Sequence, residues 1–163
     1  MKKIIFILFV MFFFSTHTFS QSKFNMEFDS GFLAIKKDAG FAFSGTVSYK
    51  VSSKVTPYIN YLYSNPENEN LNLRYDFSKV SVGAYYSLSE ESITFSSVAG
   101  FSYLFFDNFT FDNDDLGIGI DLGCLVVFNN DKRFSYGFKL INTFSTKPNG
   151  GILQSGIFFR YNL

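Results

Sequence analysis

The chain has 163 residues, 14 of them Lys or Arg and 14 Asp or Glu, so it carries no net charge at pH 7. That balance, with the basic residues scattered along the chain, excludes the basic stripe of a nucleic-acid binder. A single cysteine excludes an internal disulfide framework, while 24 Phe and 10 Tyr bring the aromatic share to 21% and demand a large non-aqueous setting.

Lys2 and Lys3 precede an unbroken apolar run over 4–14, followed by polar residues and the small Thr18 and Ser20. The run is far shorter than the ~20 residues of a membrane-spanning helix, and no stop-transfer pattern follows it. Residues 1–20 therefore predict a secretory signal peptide cut after Ser20, leaving 21–163 as one exported domain. Cleavage removes two lysines and the only histidine, His17, so the mature chain is slightly acidic and has no imidazole to serve as a base or metal ligand.

No later segment is apolar enough for a membrane helix; the pattern is instead alternation with a period of two, the signature of strands. Residues 25–35 form a first, less regular strand with Phe24, Met26, Phe28 and Phe32 on one face and Asn25, Glu27 and Asp29 on the other. After a turn at 36–40, the strand over 41–51 sets Phe41, Phe43, Val47 and Tyr49 against Ala42, Ser44, Thr46 and Lys50. A turn at 52–54 leads to a third strand, 55–63, with Pro57 near its start where a missing N–H is tolerable, and then to a loop at 64–70. In the fourth strand the apolar residues shift from odd positions (Leu73, Tyr75, Phe77) to even ones (Val80, Val82, Tyr86), which predicts a β-bulge near Ser78 and Lys79. Three further alternating segments, 93–105, 116–128 and 134–144, are separated by an acidic loop at 107–115 and a turn at 129–133. The last strand follows the loop 145–151 and alternates to the end, with Ile157, Phe159, Tyr161 and Leu163 on one face.

Eight strands with no helix between them predict an all-β, antiparallel meander with alternating short and longer connections, and volume decides which way its greasy face points. About five large apolar side chains per strand make about forty in all, whereas a closed eight-stranded interior holds on the order of a dozen. The opposite face is rich in Gly, Ser, Thr and Ala, sizes that suit a narrow lumen. Apolar side chains thus face outward, in an eight-stranded up-and-down transmembrane β-barrel. A soluble two-sheet sandwich, which houses more aromatics than a small barrel does, is the alternative. Tyr49, Tyr86, Tyr136 and Tyr161 share the outward parity at strand ends beside the short turns, and are expected to form an interfacial girdle; Tyr61, Tyr63, Tyr75 and Tyr103 are expected near the opposite ends.

Glu27, Asp29, Asp76 and Asp121 have inward parity, and so do Lys50, Arg74, Lys139 and Arg160. Unpaired charges in a narrow lumen are costly, so these eight predict an ion-paired plug, with Arg160 facing Glu27 across the seam between the last and first strands. A charge-lined pore is the functional alternative. Cys124 has outward parity and no neighbouring base, as a small apolar residue does. The aspartates of 107–115 match no defined calcium loop, and a solvated acidic loop is the simpler reading. No cofactor or metal site is expected.

The closing strand also resembles the C-terminal assembly signal of bacterial outer-membrane barrels, a polar residue, Gly, two variable residues, an aromatic, a variable residue and an aromatic. Ser155, Gly156, Phe159 and Tyr161 fit it, although the chain continues through Asn162 to Leu163 instead of finishing on Phe. The whole mature chain is similar to the small eight-stranded barrels of the OmpA/OmpX kind, without an attached peptidoglycan-binding domain. The resemblance implies an outer-membrane location with termini in the periplasm and longer loops outside. Its implied partners are outer-membrane lipid, lipopolysaccharide and the barrel-assembly machinery, with the protein a monomer. It implies a non-enzymatic structural or adhesin-like surface role. A narrow conduit is the runner-up, and lipid modification like that of the barrel palmitoyltransferase is disfavoured by the missing histidine.

Overall fold

The computed structural model describes residues 23–69, 72–89, 92–107, 115–130, 132–146 and 150–163. The expected leader, most of the acidic loop and the tip of 147–149 lie outside the described residues. The strands are β1 (Phe24–Ile35), β2 (Asp38–Tyr49), β3 (Val55–Ser64), β4 (Glu67–Asn68), β5 (Leu73–Arg74), β6 (Asp76–Ser87), β7 (Ile93–Asp107), β8 (Asp115–Phe128), β9 (Phe134–Ser145) and β10 (Gly150–Asn162). Eight of them pair antiparallel in the order β1, β2, β3, β6, β7, β8, β9, β10, and β10 pairs back onto β1, closing the barrel. The seam register runs from Asn25 opposite Asn162 to Ile35 opposite Ile152. β4 and β5 form a small hairpin above the wall, joined to β2 through Ala39 and Glu67.

The period-two pattern becomes an alternation of burial along each wall strand, clearest in β9, where Ser135, Gly137, Lys139, Ile141 and Thr143 are buried and Phe134, Tyr136, Phe138, Leu140 and Phe144 are exposed. The outer surface is an apolar belt: Phe28 is 66% exposed, Phe101 65% and Phe159 67%. A water-facing sheet would carry charges here; this surface needs hydrocarbon around it.

Two expectations are corrected by the connections. The hairpin after β1 is only Lys36–Lys37, because Ile35 already pairs with Asp38, and Lys36 adopts φ 56° to make the reversal. It is shorter than the connections 50–54, 88–92 and 129–133 at the end that carries the termini, so the short-versus-long alternation fails at its first loop. The predicted bulge in the fourth strand is also absent. Pairing of β3 with β6 runs unbroken from Ser64 opposite Phe77 to Val55 opposite Tyr86, and β6 pairs with β7 equally continuously. Phe77, Lys79, Ser81 and Tyr85 are all buried on the inner face.

The physical reason lies in what fills the lumen. Its inner face is not uniformly small and polar: Leu33, Ile35, Leu62, Tyr75, Phe77, Leu104 and Ile152 form an apolar cluster toward the far end, with Phe106 packed against it. Tyr75, expected on the outer girdle, is one of them. A second cluster, including Tyr58, Tyr85, Val98, Leu125 and Phe158, lies nearer the termini. Between them along each strand come polar or small residues: Lys79 and Ser81 in β6, Asn60 in β3, Ser102 and Gly100 in β7, Gln154 and Gly156 in β10. Tyr58 and Tyr85 stack at 4.5 Å between ring centroids. Their fit depends on glycine, since a Cβ at Gly83 or Gly100 would come 2.8 Å from the Tyr58 hydroxyl.

Candidate functional site

The polar layer of the lumen holds two of three buried ion pairs. Lys79 Nζ lies 3.4 Å from Asp121 Oδ1 and donates to Thr143 Oγ1 at 3.0 Å. Thr143 in turn donates to Asp121 Oδ1 at 2.5 Å, and Ser102 Oγ donates to the same oxygen at 3.2 Å. Lys139 pairs with Asp29, whose second partner is the Ser44 hydroxyl. Asn60 Nδ2 donates to Ser44 Oγ at 3.0 Å and Thr46 Oγ1 at 2.8 Å, locking that hydroxyl in place.

The third pair stands toward the termini. Arg160 Nη2 and Nε approach Glu27 Oε1 at 2.9 and 3.0 Å across the seam, where the two residues face each other in the register. Arg160 Nη1 donates to Asn130 Oδ1 at 3.3 Å, and its guanidinium carbon sits 5.5 Å from the Phe158 ring centroid. All six charged residues are between 0% and 8% exposed. A side chain lining a water-filled pore is accessible to water; the Lys79–Asp121 and Lys139–Asp29 pairs are not, and of the third pair only the edge of Arg160 reaches the opening at the termini end. In such surroundings a charge is tolerable only with a partner, and each of the six has one; hydrogen bonds add to it in every pair, although Glu27 Oε2, buried beside Arg160, accepts none.

Of the eight residues expected in the plug, the lumen contains Glu27, Asp29, Asp121, Lys139 and Arg160. Lys50 is exposed at the termini-end opening, one residue past the end of β2, its N–H bonded to the Lys23 carbonyl at 2.7 Å. Arg74 and Asp76 lie outside as well: Arg74 Nε meets Glu67 Oε2 at 3.4 Å across the β4–β5 hairpin, and exposed Asp76 accepts from Tyr63 at 2.6 Å and Asn65 at 2.8 Å. Both were misplaced by the supposed bulge. The same supposition hid Lys79, the partner of Asp121, which an unbroken alternation through β6 would have put inside.

At the termini end, Tyr49, Tyr86, Tyr136 and Tyr161 all face outward. Tyr49 packs on Phe24 at 4.8 Å, Tyr136 on Phe128 at 5.4 Å and Tyr161 on Phe134 at 4.8 Å, so three of the four stand in aromatic pairs. In the closing strand Ser155, Phe159 and Tyr161 point outward, while Gly156 lies against Gly31 across the seam with no room for a Cβ. Leu163 follows the strand, its N–H bonded to the Phe24 carbonyl at 3.0 Å. Cys124 is exposed on the outer face. Among the described residues no group of three or more His, Cys, Asp or Glu is placed to hold a metal ion; the acidic residues 108–114 lie outside them.

No protein-family model matches the chain, and no curated protein does. Solved structures do. The chain is similar to Neisserial surface protein A, with a TM-score of 0.64 at 11% identity over 89% of this chain and 100% of that one. It is similar to the outer membrane enzyme PagL, at 0.58 and 17% over 85% and 99%. Ail, the attachment invasion locus protein of Yersinia pestis, matches at 0.51 and 14% over 86% and 98%. The fold is therefore that of the small eight-stranded outer-membrane β-barrels, and the match spans nearly the whole of each neighbour.

Proposed function

We propose that this protein is a non-enzymatic barrel of the bacterial outer membrane whose lumen is closed, and that it acts as a structural or adhesin-like scaffold through the loops at the end opposite its termini. The observation that carries this reading is the lumen itself. Three buried ion pairs and two apolar clusters occupy the space that a conduit would need open. With the middle and far end of the lumen committed to packing, the surfaces that reach the outside are the loops at that end. The fold does not decide between roles, since its solved neighbours include both an enzyme and an attachment protein. Against catalysis stands the mature chain's lack of histidine. The termini face the periplasm in this reading. The apolar belt contacts lipid and lipopolysaccharide, and Ser155, Gly156, Phe159, Tyr161 and Leu163 present the closing strand to the assembly machinery of a monomer.

Fractionation of an expressing Gram-negative host tests the location. The protein is expected with outer membranes, migrating differently before and after boiling. Protease added to intact cells should cut within 65–75 while leaving a C-terminal epitope intact. Recovery as a soluble species, or protection of that loop with loss of the epitope, would contradict the reading. Replacing Phe159 and Tyr161 with Ser should block insertion; normal folded yield would remove the assembly role.

A further inference from the structure

The lumen is sealed, but it is not filled to both ends. Below the Tyr58–Tyr85 stack it opens toward the termini as a vestibule of about 900 Å³. Its walls carry Lys23, Lys50, Lys132 and Arg133 near the rim and Arg160 at the floor, and no carboxylate is among its described lining residues. Glu90, Glu91 and Asp131 lie outside the described residues. A cleft lined by one sign of charge between low-dielectric walls concentrates ions of the other sign.

The floor is a built one. Arg160 is held by Glu27 and Asn130, and the rest of it is packed by Tyr85 and Phe158, so its guanidinium has a fixed direction. Of the five N–H groups of a guanidinium, those bonds use three, leaving two on a side chain that lines the vestibule. Between floor and rim runs a band of hydroxyls that includes Thr56, Ser87, Thr94 and Ser96. Cations at the rim, a hydroxyl band and the remaining N–H donors of a paired guanidinium at the floor fit a ligand that carries both an anionic group and hydroxyls of its own, and the volume exceeds what a bare inorganic anion would fill.

We propose that this vestibule binds a small hydroxylated anion, a phosphorylated or carboxylated sugar, drawn from the compartment that holds the termini. The test is a titration of the mature chain, folded in uncharged detergent micelles, with glucose 6-phosphate, and with glucose and inorganic phosphate separately, followed by amide NMR. Saturable shifts are expected over 50–56, 87–89 and 132–133, with glucose 6-phosphate bound at least about tenfold more tightly than either partial probe. Lys50→Gln combined with Lys132→Gln, both exposed rim positions, should weaken that binding by about tenfold while preserving the folded spectrum. Shifts that do not saturate, phosphate or glucose alone binding as well as the combined probe, or a double variant that binds like the wild type would each overturn the proposal.

Discussion

The two ends of the barrel solve the same problem differently. Near the termini, past the second apolar cluster, the inner face of the wall turns largely polar, running through Ser48, Thr56, Ser87, Thr94, Ser96 and Ser135, and it ends in an open vestibule. At the far end the inner face is as apolar as the outer one, because Leu33, Leu62, Phe77 and Leu104, each 0% exposed, fill the cross-section. One end is sealed by shape and the other is left wet, with the charge pairs holding the wall together between them. The difference teaches that in a barrel this narrow, apolar residues mark two environments, lipid outside and plug inside, and only position in the alternation separates them.

The largest expected effect comes from the charged layer that divides the ends. Asp121→Ala leaves Lys79 buried without its carboxylate, and breaking such a pair costs about 3–5 kcal/mol. Lys79→Met together with Asp121→Leu should recover much of that loss, since removing both charges also removes the burial cost. Urea unfolding of the refolded wild type and both variants in micelles measures this, and equal destabilisation by the single and double variants would break the assignment.

Next comes the far-end plug. Leu104→Ala should cost about 2–5 kcal/mol by leaving a cavity that lipid cannot fill, whereas Leu140→Ala, on the lipid face, removes contacts that acyl chains replace and should cost less. If the two cost the same in the same urea series, the inner cluster is not packed as described.

A smaller effect is the pH dependence that Tyr75 adds at the far end. Tyr75 is buried there and donates to Asp38 Oδ2 at 3.0 Å; burial first, then this hydrogen bond, push its phenol above the usual value near 10. A raised folded-state pKa favours the protonated form, so the contribution is fully present below pH ~10 and is lost as pH rises toward the folded value. Wild-type stability should therefore fall more steeply above pH 10 than that of Tyr75→Phe. Parallel pH profiles would show that burial and the Asp38 contact do not hold the Tyr75 phenol protonated.

Much of this molecule was legible from the alternation alone: eight wall strands, the outward aromatics, the Glu27 and Arg160 partnership across the seam register. These are the places where one face is apolar and the other polar, so parity is written in the residues. It was illegible where both faces are apolar. Tyr75 and Phe77 looked like lipid-facing residues and forced a bulge that β6 does not have, which cast Arg74 and Asp76 inside and left Lys79 unnoticed. Lys50 shows a different limit: it keeps inward parity, but parity does not say how far along the barrel a residue stands, and Lys50 is at the opening, past the end of β2. The vestibule had no signal of its own, since its walls come from five segments of the chain brought together only by closure.

The central claim, a lumen sealed by paired charges and apolar side chains, is tested most directly by single-molecule current recording in planar bilayers. The refolded wild type should insert and pass almost no current at either polarity, and Lys50→Gln at the open end should leave that silence unchanged. Steady ion-selective conductance in the wild type, altered in selectivity by Asp121→Asn or Lys139→Gln, would contradict the account and make those residues the lining of a channel.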